Sequence, residues 1–502
     1  MQKRNKFDHS HVNSTTFKMG YDIPVALAEC LPGDTWQGNT QLFMRVAPTI
    51  APVMHRLMIT TKTVFVPLRL IWKESEDFLT GGKDGMNNSI PPFVRVAPTQ
   101  GSLADYLGLP LCDAELEVSA LPFRAYALIY NWMTRDQDLQ DELPISLESG
   151  EDTTTSLELM RTCWAKDYFT TARPWPQKGP GITIPLVGDT AIEADGRMTF
   201  SIGSTVSESD VLRGELYSMA DSATTNDNVG VSYGNGMAGT VHPSPLTYLS
   251  GLRVGDSSGS IGIDVNDLLE AMAMQRTQIR RALFGSRYED LLHYWGLKTQ
   301  DFRLQEPELV SVGRGRVQFS EVLQTSPGSG GEGVGNMAGH GVGAMQSGRF
   351  RYYCHEHGFL ITLMTVRPQA VYTQGIERMW TRKTRWDYWS PEMQHIGQQE
   401  VLNKEVYADG SDADDEIFGY QNRFDEYRRG KNHVSGEFRT TQDYWNMARV
   451  FENRPSLNSE FVECAPTDRI FQLSESLSDQ LYCMIQNNFI AKRLVSRNGN
   501  PM

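Results

Sequence analysis

QLFMRVAPTIAPVMHRLMITTKTVFVPLRLIW, residues 41–72, is rich in Val, Ile, Thr, Phe and Met and is broken by Pro48, Pro52 and Pro67. β-Branched and aromatic side chains suit the pleated, half-buried surface of a sheet. Proline cannot donate to a strand ladder and is tolerated at strand ends and edges. The stretch therefore reads as strand segments with the prolines at their boundaries. Beyond Gln300 the same texture returns in residues 315–323 and 350–366, followed by short segments to the C-terminus. Helical signals sit between these blocks: residues 121–133 with Pro122 at their start, 156–169, 265–283, and 288–295 closed by Gly296. In 265–283, Val265, Leu268, Leu269, Met272, Ile279 and Leu283 largely share one face, with Asp264 as N-cap and Gly285 as stop. Strands far apart in sequence, with helices confined to connections, do not form a βαβ repeat. They predict a mainly β protein, an antiparallel β-sandwich of the jelly-roll kind with long loops.

Composition supports a large folded core. The 502-residue chain is 40% hydrophobic and 22% charged, and a chain of this size buries roughly three quarters of the surface its unfolded form exposes. Cys30, Cys112, Cys163, Cys354, Cys464 and Cys483 lie far apart with no CxxC pair. That spacing favours free buried thiols over a disulfide framework or a zinc site. The N-terminus shows no charged-then-apolar leader, and the longest apolar run, residues 358–366, is too short to span a bilayer. A cytosolic product without membrane insertion is expected, and the sequons at Asn13 and Asn88 read as chance.

Lys and Arg number 47 against 61 Asp and Glu, for a net charge of −14. Phosphate binding relies on clustered cations, so the chain as a whole does not neutralise nucleic acid. Two local patches run against that balance. Lys3, Arg4 and Lys6 lie in residues 1–20, an extended basic arm without hydrophobic period. RMWTRKTRWDYW, residues 378–389, interleaves Arg378, Arg382, Lys383 and Arg385 with Trp380, Trp386 and Trp389. Aromatic faces stack bases while cations hold phosphates, yet Trp and Arg are equally the anchors of protein–protein interfaces. Interface or core packing is the favoured reading of 378–389, with nucleic-acid contact by its cations and those of the arm as the sharper hypothesis.

Motifs with catalytic or metal-binding form lack their context. GSGGEG (328–333) satisfies G-x-G-x-x-G, but more glycine follows where a helix must begin. GDSSG (255–259) satisfies the nucleophile-elbow pattern within a flexible Ser/Gly turn. His355 and His357 of CHEH, His9 and His11, and the acidic run Asp412, Asp414, Asp415 and Glu416 read as ordinary strand, arm and loop residues. No P-loop occurs. No catalytic, cofactor or metal residue is assigned. Residues 326–348 hold nine glycines and read as a mobile or extended loop, or as a crossing where backbones approach closely. Residues 182–263, dominated by Gly, Ser, Thr, Asp and Asn, read as an excursion inserted in a loop.

One resemblance spans most of the chain. FGSRYEDLLHYWGLKTQDFRLQEPE (284–308) resembles the core signature of the major capsid proteins of microviruses, small tailless single-stranded DNA phages, and most of all their gokushovirus-like branch. In the same order, KFDHSHVNSTTFKMG (6–20), LPGDTW (31–36), TVFVPLRLIW (63–72), DYFTTARPWPQKG (167–179), EHG (356–358), YTQG (372–375) and FGYQNRFDEYRRG (418–430) are similar to further segments of that family. Glu306 stands where many relatives carry arginine, Leu68 where asparagine is common, and Ser75 where a second tryptophan usually sits.

The resemblance implies an eight-stranded antiparallel jelly roll. Its core comprises residues 21–181 and 264–502, and 182–263 form a surface insertion that projects at three-fold axes toward the host. It implies a non-enzymatic, homo-oligomeric icosahedral shell, T=1 with sixty copies, around a circular single-stranded DNA genome. The shell is assembled in the host bacterial cytoplasm. Implied partners are a small basic DNA-packaging protein, a minor pilot protein, scaffolding protein and a host surface receptor, with no membrane and no cofactor. The alternative is a carbohydrate-binding or glycoside-hydrolysing β-sandwich, with tryptophans to stack sugars and paired carboxylates to cleave them.

Overall fold

In the computed structural model, which describes residues 4–82, 87–179, 192–200, 212–213, 216–217, 229–232, 238–241, 249–254, 265–284, 306–323, 337–472 and 479–497, ten strands form one curled antiparallel sheet. They are β1 (Asn5–Asp8), β2 (His11–Phe17), β3 (Asp22–Cys30), β4 (Thr35–Val46), β5 (Leu57–Pro67), β6 (Glu308–Leu323), β7 (Met337–Gln346), β8 (Phe350–Tyr353), β9 (Gly358–Pro368) and β10 (Leu481–Arg493). The order across the sheet is β1-β10-β4-β7-β6-β5-β9-β3, with β2 also on β10 and β8 also on β4. The mainly β, antiparallel class with few helices is the one the sequence predicts. Pro48 and Pro52 fall between β4 and β5, and Pro67 ends β5.

Burial explains the texture of these strands. Along β10 the odd residues Leu481, Cys483, Ile485, Phe489 and Ala491 are buried while Tyr482 and Met484 are exposed, the period-two pattern of a sheet covered on one face. β5 and β9 are covered on both. Leu57, Ile59, Met364 and Val366 enter the largest apolar cluster. Val64, Val66, Ile361 and Leu363 enter another with Phe123, Tyr126 and Ile129 of helix α1 (Leu121–Met133). Double coverage produces the near-continuous apolar run 358–366, broken only by Thr362 and Thr365, that sequence alone offers as a strand. The curl brings Asn487 of β10 to edge strand β3, where its amide donates to the Val25 carbonyl at 3.1 Å and its oxygen accepts from the Thr40 hydroxyl at 2.9 Å.

Two expectations are corrected. Residues 156–169 are not helical, because their backbone is drawn out to serve neighbours. Arg161 bridges Tyr21, Thr162 N–H donates to Gly20 O, and Trp164 N–H donates to Val462 O. The glycine-rich stretch is not loop throughout. Its described part contains β7, paired with β6 on one side and β4 on the other. Its glycines are demanded by packing: a Cβ on Gly341 would stand 2.7 Å from Val46 Cγ2, and one on Gly339 would collide with the Ala51 carbonyl. Helix α1 forms over the predicted residues.

Residues 1–178 and 281–502 form one compact unit and residues 179–280 another. The second contains two small antiparallel sheets, one of Leu216–Tyr217, Val229–Ser232 and Ala238–Val241, the other of Ile192–Phe200, Leu212–Arg213 and Leu249–Val254. Helix α2 (Val265–Phe284) follows the predicted periodicity, with Leu269 and Met272 exposed.

Candidate interaction surfaces

Against the sheet of the larger unit lies a layer of loops, and it is here that segments remote in sequence converge. Tyr168, Phe169, Val401, Val406, Phe418, Phe461 and Val462 form a buried cluster with Tyr372 packed against it. Side chains then stitch the loops' backbones together, since irregular segments have few strand partners to satisfy their N–H and C=O groups. The Tyr372 hydroxyl donates to Asp167 Oδ2 at 2.8 Å, and Gln421 Nε2 donates to the Tyr168 carbonyl at 2.7 Å. Arg429 Nη1 donates to the Asp167 carbonyl at 3.1 Å. Gln374 exchanges two 2.8 Å bonds with the Phe451 backbone. Three of the segments quoted for the family resemblance, 167–179, 372–375 and 418–430, are thus parts of one packing unit.

Over this cluster sits a layer of charge. Glu405 is almost fully buried and meets Arg378 at 3.2 Å and Lys431 at 3.7 Å. Glu426 meets Arg378 at 3.8 Å and Arg382 at 3.6 Å. Burial works against the Arg378 charge, but Glu405, Tyr168 and Glu426 outweigh it and raise its pKa. Burial lowers the pKa of Lys431, whose ammonium also lies 4.6 Å and 4.7 Å from the Tyr168 and Phe169 ring centres. Arg378 and Arg382, proposed as phosphate contacts on sequence grounds, are therefore engaged by carboxylates within the fold.

The rest of that segment faces outward. Two single-turn 3₁₀ helices, Arg378–Trp380 and Arg385–Asp387, expose Trp380 at 72%, Trp386 and Trp389 at 52% each and Tyr388 at 56%. Met379 and Ile396 are exposed beside them in sequence. The turn is pinned by Asp387, whose carboxylate accepts from the Lys383 and Thr384 backbone at 2.8 and 2.7 Å. Those bonds, the Thr384 one foremost, hold its pKa below the ordinary value. Arg385 stacks on Trp386 at 4.3 Å, and Arg382 lies 5.2 Å from the Tyr388 ring. Lys383 and Arg385 have no salt bridge among the described residues. Sequence reading found the tryptophans and cations of this platform; that the rings point outward while two arginines turn inward was not visible in it.

The remaining expected residues are distributed elsewhere. Lys3 lies outside the described residues, as do GDSSG, GSGGEG, residues 288–295 and most of 284–308. Arg4 donates to the Gly33 carbonyl at 2.9 Å and to Thr35 Oγ1 at 3.1 Å, and Lys6 pairs in register with Lys492 in the β1–β10 ladder. His355 packs edge-on against Tyr353, and Glu356 chelates Arg69 Nε at 2.9 Å. Asp414 accepts from Arg454 at 2.5 Å, and Asp415 pairs with Lys404, so basic side chains serve the acidic run. No group of metal-binding side chains occurs among the described residues. All six cysteines are free; five are buried, and Cys112 is partly exposed.

Sequence reading missed the most deeply buried ion pair among the described residues. Arg124 of α1 donates to Asp152 Oδ2 at 2.7 Å, to the Ile71 carbonyl at 2.9 Å and to the Glu148 carbonyl at 3.0 Å, with both side chains fully buried. A lone arginine on an otherwise apolar helix face, FRAYALIY, was its only signal.

Comparison with known proteins gives one consistent answer. A family model described as capsid protein (F protein) matches residues 1–501. Capsid protein VP1 of Bdellovibrio phage phiMH2K is 35% identical over 486 residues, covering 92% of this chain and 88% of the relative. Capsid protein VP1 of Chlamydia phage 1 is 32% identical, covering 93% and 90%. Capsid protein VP1 of Spiroplasma virus 4 is 29% identical, covering 92% and 87%.

Proposed function

The chain belongs to the phage capsid protein (F protein) family, and from that premise we propose that sixty copies build an icosahedral T=1 shell around a circular single-stranded DNA genome, with residues 182–263 projecting toward the host. A member of this family is a structural, multi-copy component of the virion and not an enzyme, which sets the sugar-cleaving alternative aside. No described helix is long and apolar enough to cross a membrane.

The observation that carries the reading is the extent of the match, residues 1–501, which takes in arm, sheet and loop layer together. The sheet order supports a jelly roll. β1 and β2 share one position beside β10, and β7 and β8 share one beside β4, so the ten strands occupy eight positions. With a net charge of −14, the shell needs cations at the genome. Lys3, Arg4 and Lys6 of the arm are the local candidates, and a small basic packaging protein supplies the remainder. A pilot protein, scaffolding protein and a host surface receptor complete the partners.

The test is sedimentation of the protein made together with its companion proteins, followed by nuclease treatment and extraction. A uniform particle of about sixty chains protecting DNA that a single-strand-specific nuclease digests after extraction is expected. A species of one to four chains without nucleic acid overturns the proposal.

A further inference from the structure

We propose that the aromatic platform carried by residues 376–396 is a contact between copies, docking on an acid-bearing face of a second copy of this chain; the inference rests on the shell reading above. Its first support is area. An aromatic side chain carries roughly 150–250 Å² of surface, so Trp380, Trp386, Tyr388 and Trp389 at their observed exposures present on the order of 400–500 Å². Met379 and Ile396 add to it. A typical monomer's largest apolar patch is about 300–600 Å², and each side of a standard interface contributes about 800 Å². One short segment therefore supplies around half of one side of an interface.

Charge decides between protein and nucleic acid as the occupant. Of the four cations in residues 378–389, Arg378 and Arg382 are turned under the platform onto Glu405 and Glu426. Only Lys383 and Arg385 remain for an incoming partner. Two cations among four exposed rings make a poor phosphate track but a good apolar anchor with a basic rim. The partner that complements such a rim is acidic, and this chain carries an excess of 14 negative charges. Pairing of the platform with its own image would oppose like charges, so the contact is heterologous and the receiving face is a different one.

The charged layer beneath is the second, independent support. Among the described residues Arg382 Nε, Glu426 Oε1 and Lys431 Nζ are buried without a hydrogen bond, and the ion pairs of Glu426 with Arg382 at 3.6 Å and of Lys431 with Glu405 at 3.7 Å are too long to be hydrogen bonds. Buried polar groups are ordinarily satisfied. A layer left with open bonds under an uncovered apolar surface is one that tightens when the surface is covered.

The experiment is hydroxyl-radical footprinting of Trp380, Trp386 and Trp389 in dissociated subunits, DNA-filled particles and DNA-free shells, read residue by residue. Loss of most labelling in both kinds of particle is expected. Protection only in DNA-filled particles makes the platform a nucleic-acid surface and overturns the proposal, as does labelling that persists in both. If no particle forms at all, the shell reading itself falls and the contact with it. Trp380→Ala combined with Trp386→Ala supplies a second readout. Subunit melting should be unchanged, while the concentration needed for assembly should rise about thirtyfold or more, the loss of one hot-spot contact. Unchanged assembly contradicts the contact.

Discussion

Ile59 in the sheet and Arg124 on helix α1, beside irregular loops, are equally buried, yet they are held by opposite means. The Ile59 backbone lies between strands, opposite Gly315 of β6 and Val366 of β9, and its side chain joins an all-apolar cluster. Arg124 instead directs every guanidinium nitrogen to an oxygen of the Asp152 side chain or of the loop backbone at Ile71 and Glu148. A sheet satisfies its own backbone and can be filled with hydrocarbon. Irregular loops cannot, so polar side chains must be buried to finish them, and each becomes hard to remove.

Substitutions should separate the two regimes. Arg124→Ala strands the Asp152 carboxylate in the interior and should cost about 3–5 kcal/mol, measured by denaturant unfolding of the subunit; a loss below about 1 kcal/mol would place the pair with ordinary surface bridges. Gly375→Ala drives a methyl group into the Glu405 carbonyl, a backbone atom with little room to move. It should cost about 1–3 kcal/mol and appear as a lowered melting temperature with proteolysis beginning in residues 369–472.

Acid should act on the loops before the sheet. Burial alone would raise the pKa of Asp152, but hydrogen bonds from Thr155, Arg124 and Thr154 outweigh it, and the net shift is downward. Asp136 behaves alike, with Lys166 and Arg173 outweighing burial. A lowered native pKa gives stabilisation that is complete above the ordinary carboxyl value and drains away as pH falls through the native one. Hydrogen exchange should therefore show α1 and residues 134–155 losing protection below about pH 4 while β5 and β9 keep theirs. Simultaneous loss would erase the distinction. The smallest change is Ile59→Val, at about 0.5–1.5 kcal/mol, since the sheet loses one methylene and no hydrogen bond.

The same division governs what could be read from sequence. β4, β5 and β9 announce themselves because β-branched, aromatic and other apolar residues crowd their stretches, α1 because Pro122 stands at its start, and Pro67 marks a strand end. β7 was hidden because its glycines, which normally signal flexibility, are there to let Val46 and the Ala51 carbonyl come close, a fact of tertiary packing. Residues 156–169 carry a helical apolar pattern but are drawn out by Gly20, Tyr21 and Val462, partners that no local window contains. At the platform, the composition of residues 378–389 pointed to an interaction surface. The inward turn of Arg378 and Arg382 depends on Glu405 and Glu426, further along the chain.

The most direct test of shell formation is an electron cryomicroscopy reconstruction of the nuclease-treated particle made with all companion proteins. Icosahedral symmetry with one copy of this chain per asymmetric unit, sixty in all, its ten-stranded sheet repeated in the wall, is the expected result. A closed assembly of a few copies, or particles whose wall lacks this chain, would contradict it.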